Sequence, residues 1–288
     1  MTTARNHGTP GHLRVMTWNL WWRFGPWAQR EAAIRSIVQA QSPDVLLLQE
    51  VWSNGTDSAA QRIAEPLGYH VALSDHAFPA PAGDPPRIGF HNAILSRWPM
   101  HDICSLPLIN ASGVPGHRRI LAAQVVTPWG PWPMLATHLD HRFDESALRQ
   151  QQAAELLHFV DRYRGDPDTA LPMIVGGDCN AVPDSDEVRL LTGRSAGPVR
   201  NLVLSDVWEQ VGSGPGHTWI DDNPYQTVTA WPNRRLDYIF VSWPRPKPVG
   251  NPTRAWLAGV EPVDGVVASD HAAVVAELVT PDSAESRG

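Results

Sequence analysis

At six places in this chain a polar or charged side chain stands where an apolar run stops or starts, and these are the residues able to do chemistry. Asn19 closes the run 15–19, Glu50 closes 44–50 and His138 closes 134–138. Asp178 and Asn180 follow 174–177, Asp270 and His271 precede 272–278, and Asp237 lies inside 235–239. Carboxylates and amides beside apolar strands are costly to bury unless they are paired or bound to a metal. One such case is an ordinary loop start; six together predict strand ends that converge. Asn19, Glu50, Asp178, Asn180 and Asp270 form an oxygen-rich set suited to a hard cation such as Mg²⁺ or Mn²⁺. That choice leaves the histidines for proton work. In extended chain Asp178 and Asn180 would face one side and Cys179 the other, whereas the same tripeptide alone also reads as a strand-to-turn Asx motif. Ser269-Asp270-His271 is no serine triad, because three consecutive residues cannot form a relay among themselves. His138 and His141 offer too few partners for a zinc site.

Such residues need a frame. Apolar, β-rich runs at 13–20, 44–49, 91–96, 120–127, 134–138, 173–177, 236–242 and 272–278 predict strands, several of them buried on both faces. Helical periodicity appears at 27–41, 57–66 and most strongly 144–163, where Leu148, Ala154, Leu157 and Val160 fall near one face. Pro/Gly-rich pieces at 80–86, 212–216 and 244–252 read as surface loops. The order predicts a layered α/β sandwich, with one domain over 13–280 between loose tails at 1–12 and 281–288.

Composition narrows the function. The formal net charge is −7, and only Lys247 among the 23 basic residues is a lysine. No basic stripe marks the chain as a bulk nucleic-acid binder, although a small nucleotide, a damaged end or a locally basic groove remains compatible. Two cysteines, Cys104 and Cys179, exclude a disulfide framework and a cysteine zinc cluster. No apolar run approaches the ~18 residues of a membrane span, and the polar first twelve residues lack a secretory core. The expected location is cytoplasmic, with no obligate protein partner.

Seven segments, in order, resemble the endonuclease/exonuclease/phosphatase superfamily: TWNLWW (17–22), PDVLLLQEV (43–51), NAILSR (92–97), THLDH (137–141), GGDCN (176–180), RRLDYIFVS (234–242) and SDHAAVVAEL (269–278). The resemblance implies a four-layered α/β sandwich of two packed mixed sheets flanked by helices, with one metal-dependent phosphoesterase site using one or two ions. It implies that Glu50 is the main metal carboxylate, with Asn19 and Asp270 nearby. Asp178 and Asn180 would position the attacking water and contact phosphate; His271, oriented by Asp237, would act at the scissile phosphate. His138 is similar to the second histidine of the deoxyribonuclease and sphingomyelinase branches. Val51-Trp52 stands where exonuclease III-like enzymes carry Thr-Lys, and His138 where they carry Asn, which argues against abasic-site repair.

Substrate contacts are expected from Asn92, from Arg119, and from Tyr225 and Trp231 in the long segment 220–233. Arg118 and Arg119 have two readings, a phosphate contact and, more plainly, a pair of solvated arginines; Trp18, Trp21 and Trp22 also have two, stacking on a base or lipid and, more plainly, core packing. The expected function is hydrolysis of a phosphodiester, in a nucleic acid, nucleotide or small molecule, by in-line attack of an activated water. The alternatives are a catalytically silent phosphate-recognition scaffold and, within the enzymes, a sphingomyelinase-type lipid or small-molecule phosphodiesterase.

Overall fold

The computed structural model describes residues 11–75, 88–227 and 231–282. The expected loop at 80–86, residues 1–10 of the first tail and 283–288 of the last lie outside the described residues.

Strands that are apolar at nearly every position have no wet face, and the fold gives them none. β1 (His12–Asn19) runs parallel to β2 (Val45–Ser53), and α1 (Trp27–Gln41) makes the crossover that a parallel pair requires. β4 (Gly89–Ser96) pairs antiparallel with β2 and with β3 (His70–Leu73). On the other side β1 pairs with β12 (Ala273–Val279), which takes β11 (Pro252–Ala258) at the edge. The second sheet repeats the device. β7 (Gly130–His138) is parallel to β8 (Ile174–Asp178), with α3 (Ser146–Tyr163) crossing between them. β6 (Pro115–Thr127) and β5 (Met100–Ile109) extend it one way, β10 (Asp237–Trp243) and β9 (Val203–Asp206) the other.

Alternation along each strand sends its side chains to two layers. Val15, Leu47 and Val274 meet Leu121, Met134 and Ile239 between the sheets. Met16, Leu46 and Leu48 pack outward on Ile34 and Val38 of α1 and on Ile63 of α2 (Ala59–Ala64). Leu135 and Val175 pack outward on Leu157 and Val160 of α3. The result is the expected four-layered sandwich of two six-stranded mixed sheets. All eight expected strands are present and α1 keeps its expected bounds. The helix expected at 57–66 is shorter and ends in a 3-10 turn over Glu65–Leu67, because Pro66 cannot continue the helical hydrogen bonds. β3, β5, β9, β11, α4 (Asp186–Leu191) and α5 (Val207–Val211) were not expected. No described helix is long and apolar enough to cross a membrane.

Candidate active site

Register explains why the polar strand ends meet. Asn19 lies opposite Gln49, one residue before Glu50, and His138 lies opposite Asp178. Asp237 opens β10 opposite Asp178. Asp270 and His271 stand just ahead of β12, which runs antiparallel beside β1. The ends of β1, β2, β7 and β8 and the starts of β10 and β12 therefore share one edge of the sandwich. There a cleft of about 1020 Å³ opens, lined by Asn19, Glu50, His138, Asp178, Asn180, Asp270 and His271.

Glu50 reaches the cleft through a bulge. Between Leu48 and Val51, β2 carries two residues where β4 carries only Asn92, and Glu50 takes φ +54°. Bulges re-aim side chains in this way. Oε2 of Glu50 is buried and has no hydrogen-bond partner among the described residues. Burial, then the Asp270 carboxylate, pushes Glu50 up to about 7 against the pull of Arg118 and His271. Burial raises Asp270 as well. Two repelling carboxylates, one with an unpartnered oxygen, fit a hard cation that supplies the missing charge. Asn19 donates to Asp178 Oδ2 at 3.0 Å and accepts from the Trp21 N–H at 2.9 Å, so its side chain is held firmly beside that seat.

The buried titratable groups are linked too. His271 Nδ1 lies 2.7 Å from Asp237 Oδ2. Burial alone would lower His271, but Asp237, Asp270 and Asp178 together raise it well above its ordinary value. Asp178 is pushed up to about 6 by burial and by Asp237, and is restrained by His271, the Asn180 N–H and Asn19. His138 Nε2 is 3.3 Å from the same Asp178 Oδ2. Burial and then the Arg118 guanidinium hold His138 well below its ordinary value, so it is neutral. Asp178, Asp237 and His271 also bring possible ligand atoms within 4.8 Å of one another. His271 Nδ1 and Asp237 Oδ2 already pair with each other there, whereas the Glu50 oxygen near Asp270 has no partner among the described residues.

Two expectations need correction in detail. Asn180 is not extended: its φ is +49° and its N–H donates to Asp178 Oδ1 at 2.8 Å. The tripeptide is an Asx turn that still brings both side chains to the cleft, while Cys179 is buried beneath. Arg118, not Arg119, lines the cleft, with Nη1 2.8 Å from His138 Nδ1. The β6–β7 ladder stops at Ile120 opposite Thr137, and the β5–β6 register, regular to Arg119 opposite Pro107, shifts before Ile109, so strand alternation does not carry through to Arg118.

The remaining expected contacts lie off the cleft lining. Asn92 is buried and donates to the Arg119 carbonyl at 2.8 Å, tying β4 to β6. Tyr225 stacks behind Trp21 at 4.6 Å. Trp231 stacks on Phe143, itself in the lining, at 4.8 Å; residues 228–230 of that segment lie outside the described residues. Trp18 is fully buried, as read, but Trp21 and Trp22 line the cleft with Phe24 and Phe90. The two consecutive tryptophans before the polar Arg23 signal a wall that composition alone does not assign.

A model of the Endonuclease/Exonuclease/phosphatase family matches residues 16–271. Comparison with curated proteins returned no sequence match. Among solved structures, D. rerio TDP2 complexed with a single-strand DNA product superposes with a TM-score of 0.74 at 22% identity, covering 93% of this chain and 99% of that one. TDP2 from C. elegans gives 0.72 at 22% identity, covering 93% and 75%. The human Nocturnin catalytic domain with bound sulfate gives 0.68 at 20%, covering 93% and 94%. At these identities the likeness is one of fold.

Proposed function

The chain belongs to the endonuclease/exonuclease/phosphatase family, and from that premise we propose that it hydrolyses a phosphodiester by in-line attack of water on phosphorus, with Mg²⁺ or Mn²⁺ held at Glu50. The observation that carries the reading is the buried, unpartnered Glu50 oxygen beside Asp270, at the edge where His271, Asp178 and His138 converge. Glu50 and Asp270, with Asn19, would hold the ion. When bound, it supplies positive charge to the non-bridging phosphate oxygens.

The chain's own residues divide the rest of the work. Asp178, raised to about 6, is ionised at neutral pH yet basic enough to take a proton from water. Asn19 and the Asn180 N–H fix its two oxygens. His271 is an imidazolium with Nδ1–H given to Asp237, which leaves Nε2–H to donate to a phosphate oxygen as charge develops. His138, neutral, stands between Asp178 and Arg118, with Nε2 3.3 Å from Asp178 Oδ2 and Arg118 Nη1 within 2.9 Å of both its ring nitrogens. Arg118 adds a fixed cation at the cleft floor.

The cleft's aromatic walls favour a substrate whose phosphate carries an unpaired, flat or apolar group over a duplex. A D. rerio TDP2 structure holds a single-strand DNA product, and a strand without its complement meets that description. The test is a panel assayed with Mg²⁺ and with Mn²⁺: single-stranded and plasmid DNA, RNA, bis-p-nitrophenyl phosphate, sphingomyelin and inositol phosphates. Turnover abolished by EDTA supports the reading. Phosphate binding without turnover of any diester would instead make the protein a silent scaffold.

A further inference from the structure

We infer that Arg30 is a positioning residue: it builds a stacking wall from Trp21, Trp22 and Phe24, and this wall grips a flat ring carried by the phosphodiester. The inference rests on the phosphodiesterase reading for its substrate and on the following geometry for the rest.

Arg30 sits in the first turn of α1 and is 1% exposed. Its Nη1 donates to the carbonyls of Leu20 and Ala268, each at 2.9 Å. Its Nη2 donates to those of Trp21, Phe24 and Trp22 at 2.9, 3.0 and 3.1 Å. Five main-chain oxygens thus converge on one guanidinium, and four belong to the loop that follows Asn19. That loop needs holding. Trp21 and Trp22 adopt φ +56° and +37°, conformations that bulky side chains rarely take unless the surroundings impose them.

The held loop presents a continuous aromatic face. Trp21 lies beneath the guanidinium at 4.7 Å and on Tyr225 at 4.6 Å. Trp22 is tied by its Nε1–H to the Gly89 carbonyl at 2.7 Å. Phe24 stands 5.3 Å from Trp22 and is 46% exposed. Phe90 then bridges from Trp22 to His138, 6.5 Å from each ring. Trp21, Trp22, Phe24 and Phe90 all line the cleft. The Ala268 contact carries the same anchor to Ser269, whose hydroxyl donates to the Asn19 carbonyl at 2.7 Å. One buried cation therefore sets the wall against the cation seat and the phosphate groups. Planar tryptophan and phenylalanine faces suit a nucleobase or an aryl ring.

The test uses three diesters with one leaving group: methyl, phenyl and thymidine-5′ p-nitrophenyl phosphate. In the wild type, kcat/KM should favour the ring-bearing esters by about tenfold or more, through KM. Arg30→Lys keeps the charge but reaches fewer carbonyls, and Phe24→Ala leaves the anchor intact. Both should shrink the ratio to about twofold, with the change in KM. If only the phenyl advantage or only the thymidine advantage collapses, that ring is the one gripped. A ratio that survives in Arg30→Lys while all three rates fall together, with a lowered Tm, would reduce Arg30 to a structural anchor and overturn the inference. If the wild type hydrolyses none of the esters, the phosphodiesterase reading fails on its own. The wall is then tested by tryptophan quenching with thymidine 5′-monophosphate: binding weakened about tenfold in Arg30→Lys supports it, and equal or absent quenching sinks it.

Discussion

Glu50→Gln keeps the shape of the side chain and removes its charge, and stability and activity should move in opposite directions. The rise of Glu50 from 4.5 to about 7 corresponds to roughly 3 kcal/mol of unfavourable charge burial at ~1.4 kcal/mol per pH unit. The sign follows from linkage. Below about 4.5 the group is protonated in both the folded and unfolded chain and carries no penalty. As pH rises through about 7 the folded protein must ionise it against Asp270 and Asp178, so the penalty is complete above that point. The amide never bears this cost, although its N–H₂ wants a partner of its own, so a gain of about 1–2 kcal/mol is expected. At roughly 2–4 °C per kcal/mol for a chain of this size, the variant should melt about 5 °C higher than wild type in EDTA at pH 8. The difference should close towards pH 5. Added Mg²⁺ at about 100 times its Kd should stabilise wild type by about 3 kcal/mol and the variant hardly at all, while turnover in the variant is lost. A variant less stable than wild type in EDTA at pH 8, or equal stabilisation of both proteins by Mg²⁺, would refute the reasoning.

His271→Ala and Asp237→Asn should each cost about 10²–10⁴ in kcat, and the double variant should cost no more, since the two act as one unit; multiplying losses would mean independent roles. Arg118→Met should cost about 10²-fold in kcat, whereas Arg119→Met, off the cleft lining, should not; single-turnover rates at saturating substrate decide this. At saturating Mg²⁺ turnover should fall below about pH 6 as Asp178 takes a proton, and at low Mg²⁺ the limb should move towards 7 as proton and cation compete at Glu50; a limb indifferent to Mg²⁺ would separate the cation from Glu50. Between 50 and 200 mM salt kcat/KM should fall about tenfold at most, as for one or two phosphate contacts; a loss of about 10³ would indicate a polymer tracked along many phosphates.

The eight strands readable in the sequence are the ones packed on both sides, where apolar residues must follow one another. The four unexpected strands, β3, β5, β9 and β11, are the four sheet edges. An edge strand has a partner on one side only, so its sequence need not be continuously apolar: β5 is mostly exposed or half-buried, with Ile103 51% exposed. The floor of the site was legible for a related reason. Asn19, Glu50, His138 and Asp178 are polar interruptions in runs that are otherwise buried. Arg118, Arg30 and the Trp21–Phe24 wall gave no such contrast. Arg118 sits beyond the regular ladder, and Arg30 lies on the buried face of α1 ahead of Ala33, Ile34 and Ile37, at the helix start before the apolar stripe begins. The wall depends on left-handed φ values that tryptophan does not advertise. Tyr225 and Trp231 carry the sequence signature of substrate contacts, aromatic residues in a loop, but each stacks on a ring that itself lines the cleft.

The charges gathered at this edge bear on which phosphate ester the site suits. Glu50, Asp178, Asp237 and Asp270 face Arg118, Arg30 and the His271 imidazolium, while His138 is neutral. With all four carboxylates ionised, the state reached above about pH 7 where Glu50 loses its proton, one negative charge is left over, and it expresses itself as the raised Glu50. A divalent cation converts that excess to a single positive charge. A phosphodiester monoanion then leaves the buried cluster neutral, the condition under which a low-dielectric site holds charges at least cost. A phosphomonoester, carrying about −1.5 to −2 at pH 7, would leave it negative again. On the proposed reading the acidic floor does not conflict with an anionic substrate: it would leave room for one divalent ion and one diester together, and a second phosphate would need its countercharge outside, on the cleft walls at Arg234 or Arg142. Arg142 is already engaged by Asp140 and Glu145, which leaves little positive charge for following a longer backbone.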